Sequence, residues 1–217
     1  MLRQSEEKRR YEDACGLAHA MELLGERWAM LVLRELAYGP RRFSELKADL
    51  TGISANVLTQ RLTELERRGL VRKTKLPPPA SIQVYEATDW GLEVIPLIAS
   101  LGRWAARSPW HDPTLQMSHV SVIMSLQTLI SPALAEGLHA RIGFQFGDTG
   151  YVTTLHDGRL DVERTRVDDC DVVFTGAPSE IAAVIHGGAP SDLVRVEGDM
   201  KLARRFVKLF PLPPKVG

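Results

Sequence analysis

Between Phe43 and Arg68 the chain has little architectural freedom, because two amphipathic helical patterns follow each other across nothing more than a Thr51-Gly52 turn. Residues 43–50 (FSELKADL) place Phe43, Leu46 and Leu50 on one face. Ser54 is a favourable N-cap for the next helix, since its hydroxyl accepts an orphan backbone N–H. That helix, SANVLTQRLTELERR, sets Leu58, Leu62 and Leu65 at i, i+4 and i+7, and Gly69 supplies the left-handed residue that ends it. The leucines pack on the first helix. The opposite, N-terminal side then offers Ser54, Asn56, Thr59, Gln60 and Thr63.

The flanks add to this pair. Residues 17–37 read as helical, with Leu17, Met21 and Leu24 on one face; Gly25 is a candidate break, and Gly39-Pro40 a stop. After the pair, LVRKTK and IQVYEAT flank the Pro-rich LPPPAS, which predicts a hairpin with a long loop. Thr88 or Asp89 caps a further helix to about Ala106, inside which Pro96 must kink the helix or shift its start. Two prolines within 108–113 mark a boundary between residues 1–110 and 114–212. Beyond it, a helix over 115–130 precedes strand-like runs at 140–147, 150–158, 159–165, 171–176 and 193–199. A capped helix falls at 178–188 and another at 200–210. The expected class is α+β in two domains: mainly α with a β-hairpin wing, then an α/β unit on a largely antiparallel sheet.

An α-helix fits the major groove of duplex DNA, where Asn and Gln can bond adenine bidentately. The net charge is zero, yet residues 1–110 carry 17 Lys and Arg against 14 Asp and Glu, and 111–217 carry 10 against 13. Tyr38 to Lys75 alone holds nine basic residues against four acidic ones. Such a local basic patch attracts phosphates whatever the total. Arg41, Arg42, Arg61, Arg67 and Arg68 are phosphate candidates, and Arg72, Lys73 and Lys75 lie on the hairpin, where a wing meets backbone or minor groove. The competing interpretation is a helical hairpin of ordinary packing with a solvated polar surface.

Other classes find little footing. No apolar run approaches the roughly 20 residues a spanning helix needs. The start, MLRQSEEKRRYEDA, lacks the apolar stretch of a signal peptide, so a cytoplasmic protein without a membrane partner is expected. Cys15 and Cys170 have no His or Cys at metal-ligand spacing, and His139, His156 and His186 read as surface or satisfied core residues. No Ser/His/Asp set, paired-carboxylate motif or Gly-rich phosphate loop is visible. Neither an enzyme nor a cofactor is expected.

Residues 15–106 resemble the DNA-binding domain of the HxlR-type regulators, relatives of the MarR group. The resemblance is carried by Cys15-Gly16-Leu17-Ala18, LLGERWAMLVLREL (23–36), GPRRFSELKADLTGIS (39–54), LTQRLTELERRGLV (58–71), YEATDWG (85–91) and LGRW (101–104). It implies a winged helix-turn-helix fold with recognition helix 54–68. It also implies a homodimer built from the N-terminal helix and the helix 89–106, and hence a palindromic double-stranded operator. Pro77-Pro78-Pro79-Ala80 departs from the family at the wing tip, where basic residues are common. Cys15 matches the position at which some members sense oxidants or electrophiles. Its alternative is a small buried residue at the dimer surface, and neighbouring Glu12 and Asp13 are expected to raise its pKa.

Residues 116–210 resemble the sterol carrier protein type two fold. The pattern lies in DGRLDV (157–162), CDVVFTGAPSEIAAVIHGG (170–188) and VRVEGDMKLARRF (194–206). This implies a five-stranded sheet and helices around an apolar cavity, which Phe144, Phe146, Val152, Leu155, Val173, Phe174 and Ile181 would line for a hydrophobic small molecule. The alternative is that they fill the core. Together the two resemblances imply a DNA-binding transcriptional regulator under hydrophobic-effector control. The alternatives are a lipid- or acyl-binding carrier whose first domain mainly dimerises, and an enzyme using the second cavity.

Overall fold

The computed structural model describes residues 11–217, so the first ten residues of the charged start lie outside the described part. The chain gathers into two compact units, one reaching Ile95 and one beginning at Pro96.

In the first unit α1 (Gly16–Leu24) and α2 (Ala29–Glu35) are separate helices, divided after Gly25. α3 (Phe43–Asp49) and α4 (Ala55–Arg67) form the tight pair. The turn between them holds Gly52 at φ +89°, a region open to glycine without penalty. Ser54 caps α4 by accepting from the Val57 N–H at 3.3 Å. Leu46, Leu58, Leu62 and Leu65 are fully buried with Val32 and Leu33 of α2. β1 (Val71–Lys75) pairs antiparallel with β2 (Gln83–Ala87). Arg41 adds one residue to this ladder, its N–H and C=O each bonding Tyr85 at 2.8 Å. Thr88 ends the wing, donating to Gly69 O at 2.7 Å and capping α5 (Asp89–Glu93) through the Gly91 N–H.

The helix expected over 89–106 is two helices, α5 and α6 (Ile95–Ala105). Pro96 has no N–H to donate and is tolerated only in a first turn, so the helix restarts around it. By compactness the division falls at Ile95, and residues 108–113 follow α6. Arg103 donates to Thr128 O at 2.9 Å, and Lys215 Nζ donates to the carbonyls of Ala106, Ser108 and His111 at 2.9–3.1 Å. These bonds join α6 and the turn after it to the second unit.

That unit is a sheet of order β5-β4-β3-β6-β7, made of β3 (Ala140–Phe146), β4 (Thr149–His156), β5 (Arg159–Glu163), β6 (Val172–Thr175) and β7 (Arg195–Gly198). All neighbours are antiparallel except β3 and β6. The register puts Ile142, Phe144, Tyr151, Leu155, Val172 and Phe174 on one face. There they meet α7 (His119–Leu129), α8 (Pro178–His186) and α9 (Met200–Phe206), with Phe206 5–6 Å from the rings of Phe144, Phe174 and Phe210. The other face carries Gly143, Gln145, Gly150, Val152 and Val173. Residues 164–171 strap across it on the way from β5 to β6. A Cβ on Gly143 would stand 3.0 Å from Val167 Cβ, and one on Gly150 2.4 Å from Thr165 O.

The expected apolar cavity is therefore corrected. Val152 and Val173 lie on the opposite face of the sheet from Phe144, Phe146, Leu155 and Phe174, so these residues cannot line one cavity. Phe144 stacks on Phe174 at 5.5 Å and lies 6.5 Å from Phe146, while Ile181 is fully buried. Phe144, Phe146, Leu155, Phe174 and Ile181 fill the core. Two hollows of this unit are surface features, one lined by residues such as Pro132, His139 and Gly158, the other by residues such as Gln145, Gly150 and Thr165.

Candidate nucleic-acid interface

α4 separates its two edges cleanly. Leu58, Leu62 and Leu65 hold it to the unit, while Ser54, Asn56, Thr59, Gln60 and Thr63 are all exposed. Thr59 donates to Ala55 O at 2.9 Å, and the Gln60 amide donates to Glu64 Oε1 at 3.0 Å. Gln60 must exchange that partner to reach a base edge. Outward donors and acceptors on a helix of this length are what major-groove readout needs.

The cations split into two sets. Arg42, Arg72, Lys73 and Lys75 are exposed. Arg72 pairs with Glu86 across the wing at 2.7 Å, and that carboxylate pushes its pKa further up. Lys73 sits 5.9 Å over the ring of its cross-strand partner Tyr85. Arg41 and Arg61 require correction as phosphate candidates. Arg41 is 3% exposed and pairs with Asp49, with Glu45 at 3.3 Å and with Glu35 at 3.8 Å. Arg61 is 4% exposed, pairs with Glu64 and reaches Glu26 at 3.5 Å. Both guanidinium groups are spent on carboxylates within the unit. The signal for Arg61 was in the sequence: it stands at i+3 from Leu58, inside the stripe that Leu58, Leu62 and Leu65 define. Arg68 likewise donates inward, to Leu23 O at 2.7 Å.

Cys15 is exposed and is the N-cap of α1. Hydrogen bonds from the N–H groups of Leu17 and then Ala18 lower its pKa. The expected rise from Glu12 and Asp13 is thus reversed. Asp13 instead accepts from the Cys15 N–H at 2.9 Å, and the backbone at the start of α1 is the larger influence on the thiol. Burial pushes the Cys170 thiol the other way. Among the described residues no group of three or more His, Cys, Asp or Glu is placed to hold a metal ion. No helix among them is long and apolar enough to cross a membrane.

A capped polar helix seated on a second helix, and followed by a basic two-stranded ribbon, defines a winged helix-turn-helix. Residues 23–112 match the HxlR-like helix-turn-helix family. YvaP, an HTH-type transcriptional regulator of Bacillus subtilis, is 38% identical over 96 residues, a span covering 44% of this chain and 86% of YvaP. YodB, another HTH-type regulator of B. subtilis, is 34% identical over 86 residues, covering 40% of this chain and 77% of YodB. The crystal structure of quinone-bound YodB superimposes with a TM-score of 0.36 at 30% identity, over 42% of this chain and 94% of that one. The chain belongs to the HxlR-like helix-turn-helix family: it is a transcriptional regulator with a helix-turn-helix DNA-binding domain. The family match ends at residue 112, short of the sheet-bearing part of the second unit.

Proposed function

We propose that the protein acts in the cytoplasm as a homodimer on a palindromic operator, with α4 of each copy in a major groove. The observation that carries this is the exposed row Ser54, Asn56, Thr59, Gln60 and Thr63 on a helix whose other edge is fully buried. Asn56 and Gln60 are assigned to base edges, and Arg42, Lys73 and Lys75 to phosphates, with Arg72 joining them when it leaves Glu86. Support for a dimer comes from α1 and α6. Neither buries a residue, and between them they expose Leu17, Leu97, Leu101 and Trp104. Apolar area of this kind is normally covered by a partner. DNA binding and dimerisation are assigned to residues 1–110, effector binding to 114–212.

Gel shifts with the DNA upstream of its own gene, at several salt concentrations, test the proposal. Gln60→Ala is expected to change base preference. Lys73→Ala is expected to weaken binding to all sequences and to lower the salt slope by about one. Equal, sequence-independent losses in both variants overturn it.

Effector control is assigned to the second unit on the support of its five-stranded sheet with helices packed on one face, the arrangement a sterol-carrier-like domain would need. With the core closed, a hydrophobic effector enters only by parting Phe206 from Phe144 and Phe174, and it acts only if it binds one dimer arrangement better than the other. The closed core disfavours a lipid carrier, which needs a standing cavity. Redox control through Cys15 is favoured by the two N–H groups that stabilise its thiolate. Diamide is expected to alter operator affinity in the wild type and not in Cys15→Ser.

A further inference from the structure

Two arginines turned inward, Arg61 of α4 and Arg68 at its C-cap, meet the same short stretch of chain. Arg61 Nη2 lies 3.5 Å from Glu26 Oε2, and Arg68 Nη1 donates to Leu23 O at 2.7 Å. Leu23 and Glu26 flank the junction between α1 and α2. Leu23 O belongs to the last turn of α1, where carbonyls lack helical partners. The junction continues through Trp28 at φ +78°, a left-handed conformation that costs a non-glycine residue free energy and persists only where surrounding contacts impose it. α1 buries no residue fully, so polar contacts at this junction add to the half-buried packing of Ala20, Leu23 and Leu24. Arg61 Nε is buried without a hydrogen-bond partner. An apolar side chain of similar length would fill the buried Arg61 site at less cost, and the best-attested use of a buried charged group is to fix register.

We propose that Arg61 and Arg68 are positioning residues: a polar clasp that fixes the pitch of the recognition helix against the α1–α2 junction, so that base discrimination depends on where α1 sits. The proposal rests on the assignment of α4 as recognition helix. The clasp touches no DNA. It sets which base edges Asn56 and Gln60 reach, and it is the route by which a shift of α1, whose N-cap is Cys15, arrives at the groove.

The test uses the full chain and two probes: a duplex enriched from a random-sequence pool by the wild-type protein, and an unenriched duplex. Affinities of Glu26→Gln, Arg61→Met, the double variant and Arg68→Gln are measured across a salt series, with melting temperatures alongside. The clasp predicts that Glu26→Gln and Arg61→Met each lower the ratio of enriched to unenriched affinity by about tenfold, the scale of one lost base contact. Arg68→Gln lowers it in the same direction. The salt slope and the unenriched affinity stay unchanged, and the double variant is no worse than the singles. If Arg61 instead holds a phosphate, Arg61→Met lowers the salt slope by about one, and Glu26→Gln, by freeing Arg61, tightens binding; that pattern overturns the clasp. So does a fall in melting temperature with an unchanged affinity ratio. A wild-type protein that binds neither duplex overturns the recognition-helix assignment and the clasp together, whereas the other two failures leave that assignment standing.

Discussion

Arg41→Ala separates a structural cation from a DNA-contacting one. The guanidinium of Arg41 is enclosed by Glu35, Glu45 and Asp49, and its backbone carries the bridge to Tyr85 in the wing. Removing one partner of a buried ion pair costs about 3–5 kcal/mol, because uncompensated charge stays behind. Here the three carboxylates differ. The side chains of Glu45 and Asp49 are 35% and 21% exposed and can turn to water. Glu35 is fully buried but keeps Arg34, bonded at 2.6 and 2.9 Å. The loss therefore belongs near the lower limit, about 3 kcal/mol. At about 4–8 °C per kcal/mol for a unit of this size, the first unit should melt at least about 10 °C earlier. Calorimetry measures the transition, and a salt titration of duplex affinity well below it measures the slope. A wild-type melting temperature with a slope reduced by about one would refute the reasoning, since that is the signature of a phosphate contact.

Gly91→Ala should destabilise the first unit by about 1–3 kcal/mol or more, read by urea unfolding, because a Cβ there would stand 2.1 Å from the backbone oxygen of Leu70. Iodoacetamide at neutral pH should alkylate Cys15 before Cys170, as mass spectrometry of peptides would show, since helix-end N–H groups lower one thiol and burial raises the other. Burial lowers the pKa of His186, whose Nε2 bonds Ser125 Oγ at 2.8 Å. Below its ordinary value of about 6.5 the unfolded chain takes up a proton that the folded chain refuses, so stability falls as pH drops from there towards the lower folded value. His186→Leu should flatten that dependence in a series of melting curves between about pH 7 and 5.

The elements were legible where local chemistry alone decides them. Ser54, the leucines at 58, 62 and 65, and Gly69 fix both ends and the inner edge of α4 without reference to any distant residue, and Pro96 announces the restart of a helix. The arginines were not legible in the same way. A cation reads as surface unless its partner is known, and Glu26 lies 35 positions before Arg61. Apolar character alone does not tell cavity from core, and what separates Val152 and Val173 from Phe144 and Phe174 is strand parity, which becomes meaningful only once the register is known. For Cys15 the direction follows from the backbone N–H groups of Leu17 and Ala18 and not from the neighbouring carboxylates, which becomes visible only once the start of α1 is placed.

The strap over Gly143 and Gly150 has an evolutionary corollary. Eight residues of irregular chain cover that face, and they rest on two strand positions that carry no side chain. Proteins that carry this second unit and acquire alanine or anything larger at either glycine must reroute or shorten the segment that runs from β5 to β6. Those two positions and the length of that segment should therefore change together, so that sequences with both glycines keep the eight-residue crossing and sequences without them do not.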